Sequence, residues 1–369
     1  MSIKNFYPGF SLILVLALVL SVHCQSGESQ GSTASRCVTK PISMPAAGTF
    51  AGGPDRLFLG TAEGAVVALD SRSLEVLWRA ELGGDFVSDL IVVEGGAAVV
   101  TNARTSETAG NSESRLTMLS SESGVPAWTA SLPYHVQYYV GKINGSIATV
   151  APDGTVMIFD RAGGRLKRKF IGNSHIAARP HFSPSGLVFV TEDKEIYVLS
   201  PDLRESSVKQ MLEFKPISVL STRDGGIAAG DARGNLAVFG PGSSRPLWRF
   251  KSGGAVTSIA ETDEGLLVTS LDNFVYLLSD YNGDVIWKKR LTGRLLEGGL
   301  LLGDVLVVSI NGENSVFVIE LVKGKLLDEL GFSGKELMSR TPIAVGDRSF
   351  ALTTANTVEV YAFGGCGQK

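Results

Sequence analysis

Three cysteines, Cys24, Cys37 and Cys366, and the histidines His135, His175 and His181 are the side chains whose chemistry would be most specific. A thiol can be acylated, oxidised with a partner or activated as a nucleophile, and an imidazole can ligate a metal ion or relay a proton. Spacing narrows these options. His175 and His181 are six residues apart, on a turn and a following strand that point them in unrelated directions, and neither HExxH nor Cys-x-x-Cys occurs. Cys37 and Cys366 stand near the two ends of the folded region, without an activating neighbour. There is no Gly-x-Ser-x-Gly elbow, Walker loop or dinucleotide fingerprint, and the glycine pairs at 163–164, 225–226 and 253–254 fall between strands as turn chemistry. The sequence therefore predicts no catalytic residue, no metal site and no cofactor.

The elements that position the remaining candidates follow from composition and repeats. The chain has 369 residues, 44% hydrophobic and 19% charged, enough to bury a sizeable core. With 34 basic against 37 acidic residues and no basic cluster longer than the run 165–169, it lacks the electrostatic footprint of a nucleic-acid binder. Forty-three glycines without a Gly-X-Y period imply many tight turns, hence many short strands, and disfavour a helical bundle.

The N-terminus reads as an address. Phe10 to Val22 is a 13-residue run that is apolar except for Ser11 and Ser21. A spanning helix needs about 20 apolar residues and a signal peptide about 7 to 15, so residues 1–23 are expected to be an export signal. Residues 24–35 then form a polar tether without apolar periodicity. Signal, cysteine and tether together resemble a bacterial lipoprotein precursor. That resemblance implies acylation of Cys24, attachment to a membrane through the lipid, and sorting to the periplasmic face of the outer membrane, which Gln25 favours. His23 departs from the small residue usual before the cysteine, so a plain secretory signal and a periplasmic or secreted protein are the alternative. Acylating Cys24 leaves Cys37 and Cys366 as an even pair in an oxidising compartment.

One pattern recurs along the rest of the chain. Hairpin-like segments end at positions 70, 120, 160, 200, 240, 280, 320 and 363, a period of 40 residues lengthened once by the insertion Asn102 to Ser114. Trp78, Trp128 and Trp248 lie eight residues after the end of a copy and Trp287 seven after, the phase expected of a residue that docks one unit on the next. Four short strands per 40 residues predict an all-β, eight-bladed propeller, with seven blades as the alternative. After the last copy only Gly364 to Lys369 remain, too few for an outermost strand, and Arg36 to Ile42 is the natural donor. The propeller is thus expected over 36–369, closed by its N-terminal strand, with Cys37 and Cys366 on neighbouring elements, either bonded or as two free thiols.

Ala68 to Trp78, ALDSRSLEVLW, and Leu119 to Trp128, LSSESGVPAW, are similar to the Ala-x-Asp-x-x-Thr-Gly-x-x-x-Trp signature of the pyrroloquinoline-quinone-like (PQQ-like) propeller repeat. Behind a lipoprotein signal, a single propeller of this length most resembles the BamB family of outer-membrane assembly lipoproteins. The resemblance implies a monomeric, non-enzymatic scaffold that binds the outer-membrane barrel-assembly protein or other envelope proteins. Where that family carries Leu-Arg-Gly and a nearby Ser-x-Pro, this chain reads SHIAARP from Ser174 to Pro180, so Arg179 and Pro180 become contact candidates. Arg179 is alternatively an ordinary charge at a blade edge. Asn102 and Arg104, at the start of the polar insertion, are further contact candidates, the alternative being a plain surface loop. Quinoprotein dehydrogenases share the repeat, but this chain has no adjacent cysteines and its tryptophans are assigned to packing. The competing function is an envelope sensor that binds a small molecule or polysaccharide in the central funnel.

Overall fold

The structure is a computed structural model that describes residues 33–42, 46–103, 113–201, 206–295, 297–333, 341–354 and 356–366. The expected signal, Cys24 with the tether to residue 32, and Arg104 lie outside the described residues. Within them every regular element is a β-strand.

The strands form eight antiparallel sheets, the blades of a propeller. Blade 1 runs through Ala46–Gly52, Arg56–Thr61, Ala65–Asp70 and Val76–Glu81, counted from the central channel outward. Blades 3 to 7 repeat that order, starting at Tyr139, His181, Pro216, Val256 and Leu300. Blade 2 differs only in its innermost strand, which is broken into Gly84–Phe86 and Ile91–Val93, both paired with Gly96–Ala103. Blade 8 is composite. Ile343–Ala344, Ser349–Thr353 and Thr357–Phe363 supply its inner three strands, and Ala34–Pro41, from the other end of the chain, supplies the fourth by pairing with Thr357–Phe363.

Buried side chains explain why the second and third strands read as unbroken apolar runs. Eight hydrophobic clusters occupy the eight junctions between successive blades, the last of them joining blade 8 to blade 1. Along Ala65–Asp70, Val66 and Ala68 face blade 2 while Val67 and Leu69 face blade 8, so both sides of the strand leave water. Closing the sheets into a ring in this way leaves no long sheet face exposed. The count of eight sets aside the seven-bladed alternative.

The tryptophans dock across junctions. Trp78 in blade 1 donates its Nε1 hydrogen to Ser121 O of blade 2 at 2.8 Å, Trp128 to Arg161 O at 2.7 Å, Trp248 to Asp280 O at 2.8 Å and Trp287 to Leu321 O at 2.6 Å. Each indole lies on a left-handed glycine of the next blade's outer turn: Gly124, Gly164, Gly283 or Gly324. A Cβ on any of these glycines would stand 2.4 to 2.5 Å from the ring, so both the backbone angle and the space demand glycine. Blades 3 and 7 lack the indole, and Phe170 and Leu327 pack against their junction clusters instead.

At the closure, a register shift between Arg36 and Val38 turns the extra residue, Cys37, out of the ladder, and Cys37 is bonded to Cys366 in the turn just after Phe363. Next to it Glu359, 1% exposed, accepts from Tyr361 Oη at 2.7 Å and from the Ser333 amide at 2.7 Å, and pairs with Arg36 Nε at 3.2 Å. Burial, reinforced by Glu359, pushes the Tyr361 hydroxyl above its usual range, so it stays a donor. A buried carboxylate needs such a set of donors, and this one ties the donated strand into place.

The two rims of the ring differ in what they carry. On one, the turns between third and fourth strands bond to those between first and second, as Ser71 N does to Asp55 O and Leu321 N to Asp304 O. We call this the turn rim. On the other, the crossover rim, blade-to-blade connections bond to the turns between second and third strands, as Leu82 N does to Gly64 O and Leu291 N to Asn273 O.

Candidate functional site: the channel wall and crossover rim

Arg179 and Asp89 meet in the channel. They belong to the innermost layers of blades 4 and 2, which are not neighbours, yet Arg179 Nη2 lies 2.5 Å from Asp89 Oδ2. Each is placed by its backbone. Pro180 is buried and Ala178 is 7% exposed, so alternation turns the residue between them outward, and the following proline holds Arg179 extended. Asp89 sits in the break of the blade 2 inner strand. That break is held from blade 1, where Thr49 Oγ1 accepts from Leu90 N at 2.6 Å, and from the crossing to blade 3, where Tyr138 N donates to Val87 O at 2.6 Å. The two side chains remain 65% and 49% exposed, a setting in which an ion pair adds little to stability. The pair is a charged, solvent-open feature on the channel wall.

Asn102 is placed otherwise than expected of a contact residue. It is 8% exposed, its amide donates to His135 O at 3.1 Å, and its Oδ1 accepts from Ser114 Oγ at 2.7 Å. Asn102 and Ser114 are paired at the end of their ladder, so the polar side chains that bracket the insertion in sequence satisfy one another instead of facing solvent. The reason is physical: Asn102 belongs to the last rung of the hairpin ladder, where its side chain is bound to the fold.

The histidines are dispersed. The His135 ring sets its edge against Tyr138 at 5.5 Å between centroids, and His181 Nδ1 accepts from the Ser221 amide at 3.1 Å, which joins the inner strands of blades 4 and 5. Burial holds the His181 pKa below its ordinary value, in keeping with a neutral acceptor. His175 contributes its carbonyl to the Glu192 amide. Among the described residues no cluster of His, Cys, Asp or Glu has the geometry of a metal site. Besides the Arg179–Asp89 pair, the crossover rim carries a further solvent-exposed ion pair, Lys215 Nζ to Glu192 Oε1 at 2.8 Å.

The sequence singles out Arg179 and Pro180 but not Asp89. No local signal marks that aspartate, because its partner is 90 residues away and reaches it only once the ring is closed.

Comparison with known proteins places this geometry. The family model described as "Outer membrane protein assembly factor BamB" matches residues 22–168 and 232–363. Among the curated proteins nothing matches the chain. Among solved structures the chain is similar to BamB from Moraxella catarrhalis, with a TM-score of 0.65 and 13% identity over 92% of this chain and 100% of that one. It is also similar to the computationally designed Ika8 protein, with a TM-score of 0.71 and 14% identity over 88% of this chain and 98% of that one. At such identities these two likenesses concern the fold.

Proposed function

The chain belongs to the outer membrane protein assembly factor BamB family, and from that membership we propose that it is a non-catalytic scaffold in the assembly of outer-membrane β-barrel proteins. It is exported, acylated at Cys24 and held by its lipid on the periplasmic face of the outer membrane. There it acts as a monomeric propeller and binds the barrel-assembly protein. The observation that carries this reading is the reach of the family match, which takes in the donated strand and blades 1 to 3 at one end and blades 6 to 8 at the other. The stretch between, 169–231, holds blade 4 with Arg179 and Pro180, so the proposed contact surface lies where this chain departs from the family pattern. The Arg179–Asp89 pair inside the channel favours a second reading, an envelope sensor with a small polar ligand or polysaccharide in the funnel.

Affinity recovery of the acylated chain from detergent-solubilised envelopes, followed by mass spectrometry, separates the two. The scaffold reading expects the barrel-assembly protein in near-stoichiometric amount, and less of it with Arg179→Glu. Its absence from a chain proven to be acylated at Cys24 would sink that reading and leave the sensor.

A further inference from the structure

Twelve large apolar side chains stand exposed among the described residues, and their distribution between the rims is one-sided. Nine lie in turns between third and fourth strands or in the first two residues of fourth strands, among them Val125, Leu247, Tyr281, Ile286 and Val322. Tyr281 is 88% exposed and Leu247 65%. The remaining three, Tyr134, Val136 and Ile171, lie in crossings on the opposite rim. Part of the asymmetry has a backbone cause. One residue before each docking tryptophan the ladder shifts register, and the extra residue, Leu247 or Ile286, is turned away from its blade. Nothing in that geometry requires the residue to be apolar.

Two further features share the turn rim. A groove of about 500 Å³ opens there on blade 3, lined by Arg165, Leu166, Lys167, Arg168 and Asn144 among others. Lys167 is paired with Asp160 at 3.2 Å, and the lining contains three basic side chains, Arg165, Lys167 and Arg168, and no carboxylate. The donated strand also enters at this rim, since Ala34 pairs with Phe363 at the turn end of blade 8. From Ala34 back to Cys24 an extended chain spans no more than about 35 Å.

We propose that the turn rim is a membrane-contacting face: the ring rests with this rim on an anionic phospholipid surface. Its apolar turn residues enter the headgroup layer and the Arg165–Arg168 groove takes a lipid phosphate. Scattered exposed apolar residues are ordinary, but a set with nine of its twelve members on one rim, beside a basic groove and within tether reach of an acylated cysteine, has the makeup of an interfacial binding surface. Only the reach of the tether depends on the lipoprotein reading; the rim chemistry does not.

The test uses mature chain 24–369 carrying Cys24→Ser, so that no acyl group mediates attachment. It is sedimented with vesicles of phosphatidylethanolamine and phosphatidylglycerol in equal parts, and with neutral vesicles of phosphatidylcholine. Binding to the anionic vesicles is expected. Partition should fall about tenfold or more in Y281S/I286S/V322S, as buried apolar area is lost. It should fall about tenfold or more on anionic vesicles alone in R165Q/K167Q/R168Q. Val136→Ser with Ile171→Ser, on the opposite rim, should bind as the parent does. A parent chain that binds neither vesicle, or turn-rim variants that bind like the parent, would overturn the proposal, as would equal loss in the opposite-rim variant. Acylation of Cys24 is read separately from the mass of the mature N-terminal peptide, so its absence would remove the anchor and leave the rim result standing.

Discussion

Between blades 5 and 6, Trp248 lays its indole on Gly283; between blades 8 and 1, the same two positions hold Val38 and Leu74. The equivalence is one of backbone. Val38 follows a register shift in a fourth strand just as Trp248 does, and the Leu74 amide bonds to Asp70 O as Gly283 N bonds to Ser279 O. Leu74 even keeps the left-handed angle, φ 57°, that glycine has at the other turns. An aliphatic side chain in that region costs about 1 to 2 kcal/mol. Burying it completely returns about 1.5 to 3 kcal/mol, and Leu74 is fully buried. The junction volume has moved from one blade to its neighbour. What differs at the closing junction is the strand that carries the docking residue: the chain joins Ala34–Pro41 to blade 1 but not to the rest of blade 8, to which only pairing and the Cys37–Cys366 disulfide hold it.

The comparison is broken first at the disulfide. The Cys37–Cys366 bond closes a loop of 329 residues, and the chain-entropy model sets an upper limit of about 5 to 6 kcal/mol on its contribution. The loss of stability should therefore be largest in C37S/C366S. Hydrogen exchange should rise in Ala34–Pro41 and blade 8 while the junction between blades 5 and 6 keeps its protection. Uniform loss of protection around the ring would show that the closure is no weaker than the other junctions. Trp248→Ala comes next, at about 3 to 5 kcal/mol by denaturant unfolding, with exchange rising first in blades 5 and 6.

The closing junction also admits conversion into the other kind. Leu74→Gly alone should cost about 2 to 3 kcal/mol through the cavity it leaves, partly offset by relief of the strained angle. Val38→Trp alone should destabilise by overpacking against Leu74. Together, V38W/L74G rebuilds the indole-on-glycine dock, and the double-mutant cycle should show at least about 1 kcal/mol of favourable coupling. Additive losses would mean that the two junctions are not equivalent.

This pairing shows how far the sequence could be read. The period of 40, the hairpins and the phase of Trp78, Trp128, Trp248 and Trp287 were legible because strands buried on both faces leave uninterrupted apolar runs and because a docking residue must recur once per blade. The partner of each tryptophan was not. In sequence the nearest turn glycine precedes it by a few residues, as Gly124 precedes Trp128, yet Gly124 receives Trp78 of the previous blade. Repeats reveal units, while contacts between units depend on how the ring closes. The same limit hid Asp89 from Arg179, and it made Asn102 look like a loop residue when it caps the last rung of a ladder.

The junction between blades 4 and 5 has neither a tryptophan nor a disulfide, and it offers the smallest effect and the sharpest control. There His181 Nδ1 accepts from Ser221 N, and burial depresses the His181 pKa. A depressed value means that the folded state favours the neutral ring, while the unfolded chain takes up its proton near pH 6.5. Stability tied to this group is therefore complete above about pH 6.5 and lost as pH falls through the folded-state value. Protonation also puts a hydrogen on the nitrogen that must accept, so the loss should be local to blades 4 and 5. His181→Gln keeps an acceptor that does not titrate. Unfolding curves at neutral and mildly acidic pH should show a smaller acid-induced loss for the glutamine variant than for the parent, and no such difference when the comparison is repeated at Trp248. Parallel pH dependence in parent and variant would transfer the acid sensitivity to other groups and leave this junction held by its apolar cluster alone.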